Sequence, residues 1–443
     1  MSSQIISPAR SLSGTLHVPG DKSISHRQLM VAAVGDGDCL MAGLSDSLDV
    51  RATENALLRL GAIIRHPHPQ VETQKLSTRG FDREILVEGR GFSGLRKPDS
   101  SIDCQNSGTT VRTLMGILAG RPWEISLDGD LSLKRRPMLR VIEPLRLMGA
   151  EISGTGPDDL LPLKIKGGEL VGIEHRSPVA SAQIKTSLMF AGLQASGRTS
   201  IEEPAPSRDH TERLLEYLDV QIERAPNRVI VKSTNIQNAT SLSVPGDLSS
   251  AAFLLVAAAI LPGSEVTVED VGLNPTRTGI LDVLRRFGAS VTEAGVEDIC
   301  GEPRGTVTVR AADRRPVTIS GDEVVRTIDE LPLVAVLGAF AEGETVIADA
   351  AELRVKESDR IATTAAGLAS LGAEVTPTPE GLIVRGSARL KGASVDAAGD
   401  HRIAMALAVA ALAADGPTEV GGWENVAVSF PGYLGALETL IER

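Results

Sequence analysis

The sequence predicts an α/β protein of two similar domains, each built from three related units. Three observations predict it. The segment VPGDKSIS at 18–25 returns as VPGDLSSA at 244–251, which divides the 443-residue chain near its middle. Six Ala/Leu-rich segments begin on polar residues and end in glycine, at 22–37, 106–120, 181–197, 247–263, 329–343 and 400–416. A second pattern alternates with them, at 57–64, 145–152, 214–222, 283–291 and 368–375, of which LRLMGAEI and LASLGAEV are typical. The repeat is too long for a solenoid, so each unit must hold two helices and several strands.

The Ala/Leu-rich segments read as helices with a polar N-cap side, an apolar body and a glycine stop. They are apolar over most of their circumference, which predicts burial. The alternating pattern is the end of an amphipathic helix, usually closed by glycine, followed by a strand. Its sixth copy, YLGALETLIER at 433–443, reaches the last residue with no strand after it. A strand around Gly14–Val18 is expected to complete that unit, which packs the N-terminal segment with the C-terminal half. Residues 1–20 plus 245–443 therefore form domain I and residues 21–244 domain II, with a hinge near 19–21 and 245–247.

Composition narrows the function classes. The net charge is −12 and aromatics are 2% of residues, against both a basic nucleic-acid footprint and a base-stacking platform. No apolar run approaches the length of a membrane span. The opening MSSQIISPARSLSG lacks a signal-peptide core, so a cytoplasmic location is expected. Cys39, Cys104 and Cys300 lie far apart, which offers neither a disulfide framework nor a zinc cluster. NSGTTVR lacks the Lys-Ser/Thr of a phosphate-binding loop, and GRGFSG at 89–94 is not followed by an apolar helix. No G-x-S-x-G is present. His66 and His68 fall in a loop-like HPHPQ and read as surface residues.

The informative positions are the helix starts. Lys22, Arg27, Arg112, Arg136, Arg208, Arg360 and Arg402 all cluster there. A helix N-terminus already carries about half a positive charge, so stability alone disfavours cations at these places. Their recurrence across units points to a binding surface for a small polyanion with phosphate and carboxylate groups. Ser, Asn and Asp at the same starts are accounted for as caps. The run Lys356-Glu357-Ser358-Asp359-Arg360, with Arg354 before it, could by itself be a solvated charge run.

In order along the chain, VPGDKSISHR, DCQNSGTTVR, GDLSLKRRPM, SPVASAQIKTSL, SRDHTE, NPTRTG, IDELP, LRVKESDR, DHRIAM and SFPGY resemble the 5-enolpyruvylshikimate-3-phosphate synthase family. The resemblance implies two domains of three βαβαββ units each, an inverse α/β fold with pseudo-threefold symmetry and an active site in the interdomain cleft. It implies transfer of the enolpyruvyl group of phosphoenolpyruvate to the 5-hydroxyl of shikimate 3-phosphate. That reaction proceeds by addition and elimination through a tetrahedral intermediate, needs no metal or organic cofactor, and belongs to the shikimate route to aromatic amino acids. It also implies a monomer, small-molecule substrates, no nucleic-acid or membrane partner, and glyphosate as an inhibitor.

Roles follow from the resemblance motif by motif. Lys22, Ser23, Arg27, Ser181, Ala182, Gln183, Arg208, Asp329 and Lys356 are expected to bind shikimate 3-phosphate. Lys22, Gly108, Arg136, Gln183, Arg360 and Arg402 are expected to bind phosphoenolpyruvate. Asp329 matches the base on the 5-hydroxyl, Glu357 the proton donor to the methylene, and Lys22 a third catalytic group. The chain departs from the family pattern at Gln105, where many members have glycine, and at Val428, where some branches have lysine. Ala182 stands where one branch has a second serine, and Arg208 is expected to compensate. The nearest rival is the sister transferase acting on UDP-N-acetylglucosamine. It typically carries Lys-Asn at the place of Lys22-Ser23 and a Cys or Asp near the place of Leu131.

Overall fold

A computed structural model describes residues 2–66, 83–311, 313–386 and 389–442. The chain divides into two compact units. The terminal unit comprises Met1–Pro19, Pro245–Asp298 and Pro303–Arg443; the inserted unit comprises Gly20–Val244 and Ile299–Glu302. His68 lies outside the described residues.

The inserted unit carries helices α1 (Lys22–Val34), α2 (Leu48–Arg59), α3 (Gly108–Ala119), α4 (Leu139–Leu147), α5 (Ala182–Gly192) and α6 (His210–Tyr217). Its strands form three four-stranded sheets of one design. In the sheet ordered Ile102–Asp103, Glu124–Asp128, Leu160–Lys166, Glu151–Thr155, the first pair is parallel and the other two antiparallel. Glu174–Arg176, Arg198–Glu202, Arg228–Lys232 and Glu223–Ala225 repeat that order and sense. The third sheet closes circularly. Ser241–Ser243, the last strand of the unit, takes the first place and runs parallel to Asp36–Leu44. Each copy thus reads β-α-β-α-β-β, as the family resemblance implies.

The terminal unit carries α7 (Leu248–Ile260), α8 (Gly279–Phe287), the short α9 (Asp322–Thr327), α10 (Leu331–Phe340), α11 (Arg360–Ser370), α12 (His401–Leu412) and α13 (Tyr433–Leu440). Its middle sheet, Thr318–Ile319, Glu344–Ile347, Gly381–Arg385, Glu374–Thr378, repeats the same order. The strand that completes the sixth unit is not the one around Gly14–Val18. Ser3–Ile6 fills that place, antiparallel to Thr418–Gly421. Ser11–Leu16 instead pairs in parallel with Glu265–Val268 and opens the next unit. Two adjacent N-terminal strands compete for the place, and only the second is in parallel register with the strand after α7. A two-residue strand, Ile441–Glu442, also follows α13 and pairs with Ser11–Leu12.

Each unit has its own core. The six apolar helices lie inside; every residue of α7 and α12 is buried. With few aromatic side chains available, these cores rely on small residues that let helices approach closely. Gly116 on α3 faces the Ser187 carbonyl of α5, where a Cβ would stand 1.9 Å from the oxygen. Each fully buried Leu, Ile or Phe on these helices contributes about 1.5–3 kcal/mol. The amphipathic helices bury only part of their residues. No helix of the described residues is long and apolar enough to cross a membrane.

Candidate active site

The inserted unit gathers its predicted residues at the starts of α1, α3, α5 and α6. Asp21 caps α1, accepting from the Ile24 N–H at 2.9 Å, and so sets Lys22 and Ser23 in the first turn. Lys22 Nζ pairs with Asp49 Oδ2 at 2.9 Å. Arg27, one turn later and buried, donates to Thr211 Oγ1 (3.0 Å), the Ser23 carbonyl (2.8 Å) and the Ala182 carbonyl (3.4 Å). Arg208 reaches Ser23 Oγ at 3.4 Å. Ser23, Arg27, Ala182 and Arg208 are thereby linked through one set of contacts.

A second linkage joins α3 to α5. Ser107 caps α3 by accepting from the Thr110 N–H, which places Gly108 at its first position. Arg112 donates to Gln183 Oε1 at 2.8 Å and to the Pro137 carbonyl at 3.1 Å. Gln183 donates in turn to Thr109 Oγ1 at 2.9 Å. Arg136 donates to Asn106 Oδ1 at 2.6 Å. A Cβ on Gly108 would lie 2.9 Å from Arg112 Nη1 and 3.2 Å from Arg136 Nη1, so bare backbone here faces two guanidinium groups. Gln105 adopts φ +52°, a conformation glycine takes readily. Asp103 accepts its N–H and Asp130 donates its own N–H to its carbonyl, which holds it there.

In the terminal unit Arg360, the first residue of α11, is the hub. It is only 1% exposed. Its Nε donates to Asp400 Oδ2 at 2.8 Å, Nη2 to Glu357 Oε2 at 2.6 Å and Nη1 to Asp329 Oδ1 at 3.4 Å. Burial opposes the Arg360 charge, but Asp400, Glu357 and Asp329 outweigh it and hold the guanidinium firmly protonated. Arg402 approaches the other Asp329 oxygen at 3.5 Å and Glu330 Oε1 at 3.8 Å. Asp400 also caps α12 through the Arg402 N–H at 2.9 Å. Lys356 lies 3.7 Å from Glu352. Burial pulls its pKa below the ordinary lysine value, and Arg360 adds to that, against the opposing pull of Glu352, Asp329 and Glu357.

Some acids of the helix starts have a second role beyond capping. Asp49 and Asp400 look like routine N-terminal acids and turn out to be partners of Lys22 and Arg360. Arg112 was visible as a helix-start cation without a role. Other family motifs hold the fold instead. Tyr433 of SFPGY is buried against Phe253, Trp423 and Phe430. Arg277 of NPTRTG is buried and reaches Ser249 and Asp247 of α7 and its cap. Arg354 binds Asp359 at 2.7 Å and the carbonyls of Thr378 and Pro379, an anchoring role rather than a solvated one. Val428 is buried and Leu131 is exposed.

The model of the EPSP synthase (3-phosphoshikimate 1-carboxyvinyltransferase) family matches residues 6–437. The chain belongs to the EPSP synthase family. It is a transferase of the enolpyruvyl-transfer type and falls in aromatic amino-acid biosynthesis. It is 47% identical to the 3-phosphoshikimate 1-carboxyvinyltransferase of Synechococcus sp. (strain JA-3-3Ab) over 98% of this chain and 96% of the relative. The EPSP synthase structure from Acinetobacter baumannii superposes with a TM-score of 0.85 at 38% identity, covering 99% of this chain and 98% of that one. The enolpyruvyl transferase NikO from Streptomyces tendae shares the fold at 18% identity, with a TM-score of 0.77 over 98% of this chain and 96% of that one.

Proposed function

We propose that the residues described above carry out the family reaction: the enolpyruvyl group of phosphoenolpyruvate passes to the 5-hydroxyl of shikimate 3-phosphate, and inorganic phosphate leaves. The observation that carries the reading is the single guanidinium of Arg360, which holds both Asp329 and Glu357. The chemistry needs a base at the hydroxyl, an acid at the methylene, and cations on the anionic groups of both substrates.

In the addition step Asp329 takes the 5-hydroxyl proton while the oxygen bonds to the central carbon of phosphoenolpyruvate. Glu357 delivers a proton to the methylene carbon, which becomes a methyl. The tetrahedral intermediate then expels phosphate, which leaves with the proton held by Asp329, and the Glu357 carboxylate takes back one methyl proton to restore the carbon–carbon double bond. The Arg360 guanidinium, 2.6 Å from Glu357, orients its carboxyl group.

Lys22, Ser23, Arg27, Ser181, Ala182, Gln183, Arg208 and Lys356 hold shikimate 3-phosphate. Lys22, Gly108, Arg136 and Gln183 join the two arginines on phosphoenolpyruvate. Glyphosate competes at the phosphoenolpyruvate place, where Gly108 presents no methyl group. The enzyme acts as a cytoplasmic monomer. The test is phosphate release from phosphoenolpyruvate with either shikimate 3-phosphate or UDP-N-acetylglucosamine as acceptor. Release with shikimate 3-phosphate alone is expected. Release only with the nucleotide sugar would overturn the substrate assignment.

A further inference from the structure

A buried carboxylate, Glu203, ties together two loops of the inserted unit. It directly follows the strand Arg198–Glu202, and its backbone N–H is bound by the Asn227 carbonyl at 2.8 Å. Its Oε1 accepts the Ser181 N–H at 2.8 Å. Its Oε2 accepts Ser207 Oγ at 2.8 Å and Lys185 Nζ at 2.9 Å. Lys185 also pairs with Glu212 Oε1 at 2.8 Å. Glu203, Lys185, Glu212 and Ser207 are all buried.

This placement is costly unless it serves something. A carboxylate under an anion-binding surface repels the anion, and its burial carries a desolvation penalty. Lys185 offsets both; burial works against its charge, but Glu212 and Glu203 outweigh that and raise its pKa above the ordinary lysine value. What the arrangement achieves is geometric. Ser181 is the N-cap of α5, yet its side chain makes no cap bond. Glu203 secures that loop by the backbone N–H instead, so the hydroxyl is not spent on the helix. The same carboxylate fixes Ser207, the residue before Arg208. The two loops that carry Ser181-Ala182 and Arg208 thus share one anchor.

We propose that Glu203, neutralised by Lys185, is a positioning residue for the phosphate of shikimate 3-phosphate. It acts through Ser181, Ala182 and Arg208, which touch that phosphate on the functional reading above; the proposal rests on that reading.

The test is steady-state phosphate release by full-length Glu203→Gln, with each substrate varied in turn. The amide keeps the shape and still accepts from the Ser181 N–H, but its NH2 group meets the Lys185 ammonium donor to donor. The KM for shikimate 3-phosphate is expected to rise about tenfold, equivalent to about 1.4 kcal/mol. The KM for phosphoenolpyruvate stays within about twofold. Ser207→Ala removes one tether and keeps the Glu203–Lys185 pair; it is expected to raise the same KM about threefold, and it decides the matter should Glu203→Gln not fold. An unchanged KM for shikimate 3-phosphate, or an equal rise for both substrates, overturns the positioning role. Absence of any turnover by the unaltered enzyme overturns the functional reading, and the positioning role falls with it.

Discussion

Replacing Arg360 with methionine tests how the terminal-unit cluster is held together. Methionine fills the space of the arginine stem but leaves Asp400, Glu357 and Asp329 facing one another without their shared cation. Arg360 is 1% exposed and Asp400 is fully buried, so solvent can do little to screen what remains. Removing one member of a buried ion cluster typically costs about 3–5 kcal/mol, against a total stability of about 5–15 kcal/mol. The chain has two tryptophans, Trp123 in the inserted unit and Trp423 in the terminal unit. In a Trp123→Phe background, Trp423 fluorescence therefore follows unfolding of the terminal unit. With a urea dependence of about 2–3 kcal/mol per molar, the midpoint should fall by about 1–2 M. Asp400→Asn keeps the side-chain oxygen that caps α12 while removing a charge. The double variant should recover at least about 1 kcal/mol relative to additivity. A loss below about 1 kcal/mol for Arg360→Met, or strict additivity, would refute the view that one guanidinium neutralises this cluster.

Three further outcomes follow from the geometry. Gly108→Ala places a methyl against the flexible ends of Arg112 and Arg136; thermal stability should stay nearly unchanged, while the KM for phosphoenolpyruvate rises several-fold and glyphosate inhibition weakens more. Because burial lowers the Lys356 pKa, the alkaline limb of kcat/KM should begin below the free lysine value of about 10.4. Lys356→Arg keeps the charge and should move that limb upward; an unmoved limb removes Lys356 from binding. His26 is fully buried, and burial with Lys22 and Arg27 holds its pKa well below 6.5. The unfolded chain therefore binds a proton that the folded chain does not, so stability falls as pH drops below about 6.5, by at most about 1.4 kcal/mol per pH unit. His26→Gln should make the pH 5–6.5 stability profile shallower, and an identical slope would contradict the assignment.

The fold was legible because its helices announce themselves chemically. A polar cap, an apolar body and a glycine stop are local features, and the segment 247–263 differs from α7 only by its cap residue and its terminal turn. Strand closure was not legible. Ser3–Ile6 and Ser11–Leu16 are both short and partly exposed, and side-chain alternation cannot say which partner each will find. Nor does anything in EDICGEPRG mark Ile299–Glu302 as belonging to the inserted unit. Glu302 earns that place through a 2.7 Å contact with buried His210, a pairing across about ninety residues with no local signature.

In the site, the cations stood out because their positions oppose the helix macrodipole, whereas their partners did not. Asp400 is a favourable N-cap and Asp49 a favourable first-turn acid, so each is fully explained before its second role is known. Yet that second role is what makes the cations tolerable. Lys22 is balanced by Asp49, and Arg360 by three carboxylates. Arg27, Arg112 and Arg136 are oriented by neutral oxygens of Thr211, Ser23, Ala182, Gln183, Pro137 and Asn106. A neutral acceptor fixes a guanidinium's direction without cancelling its charge. The terminal-unit cluster thus pairs its cations with groups able to exchange protons, as acid–base chemistry requires. In the inserted unit, neutral oxygens thus help to set the direction of these three arginines.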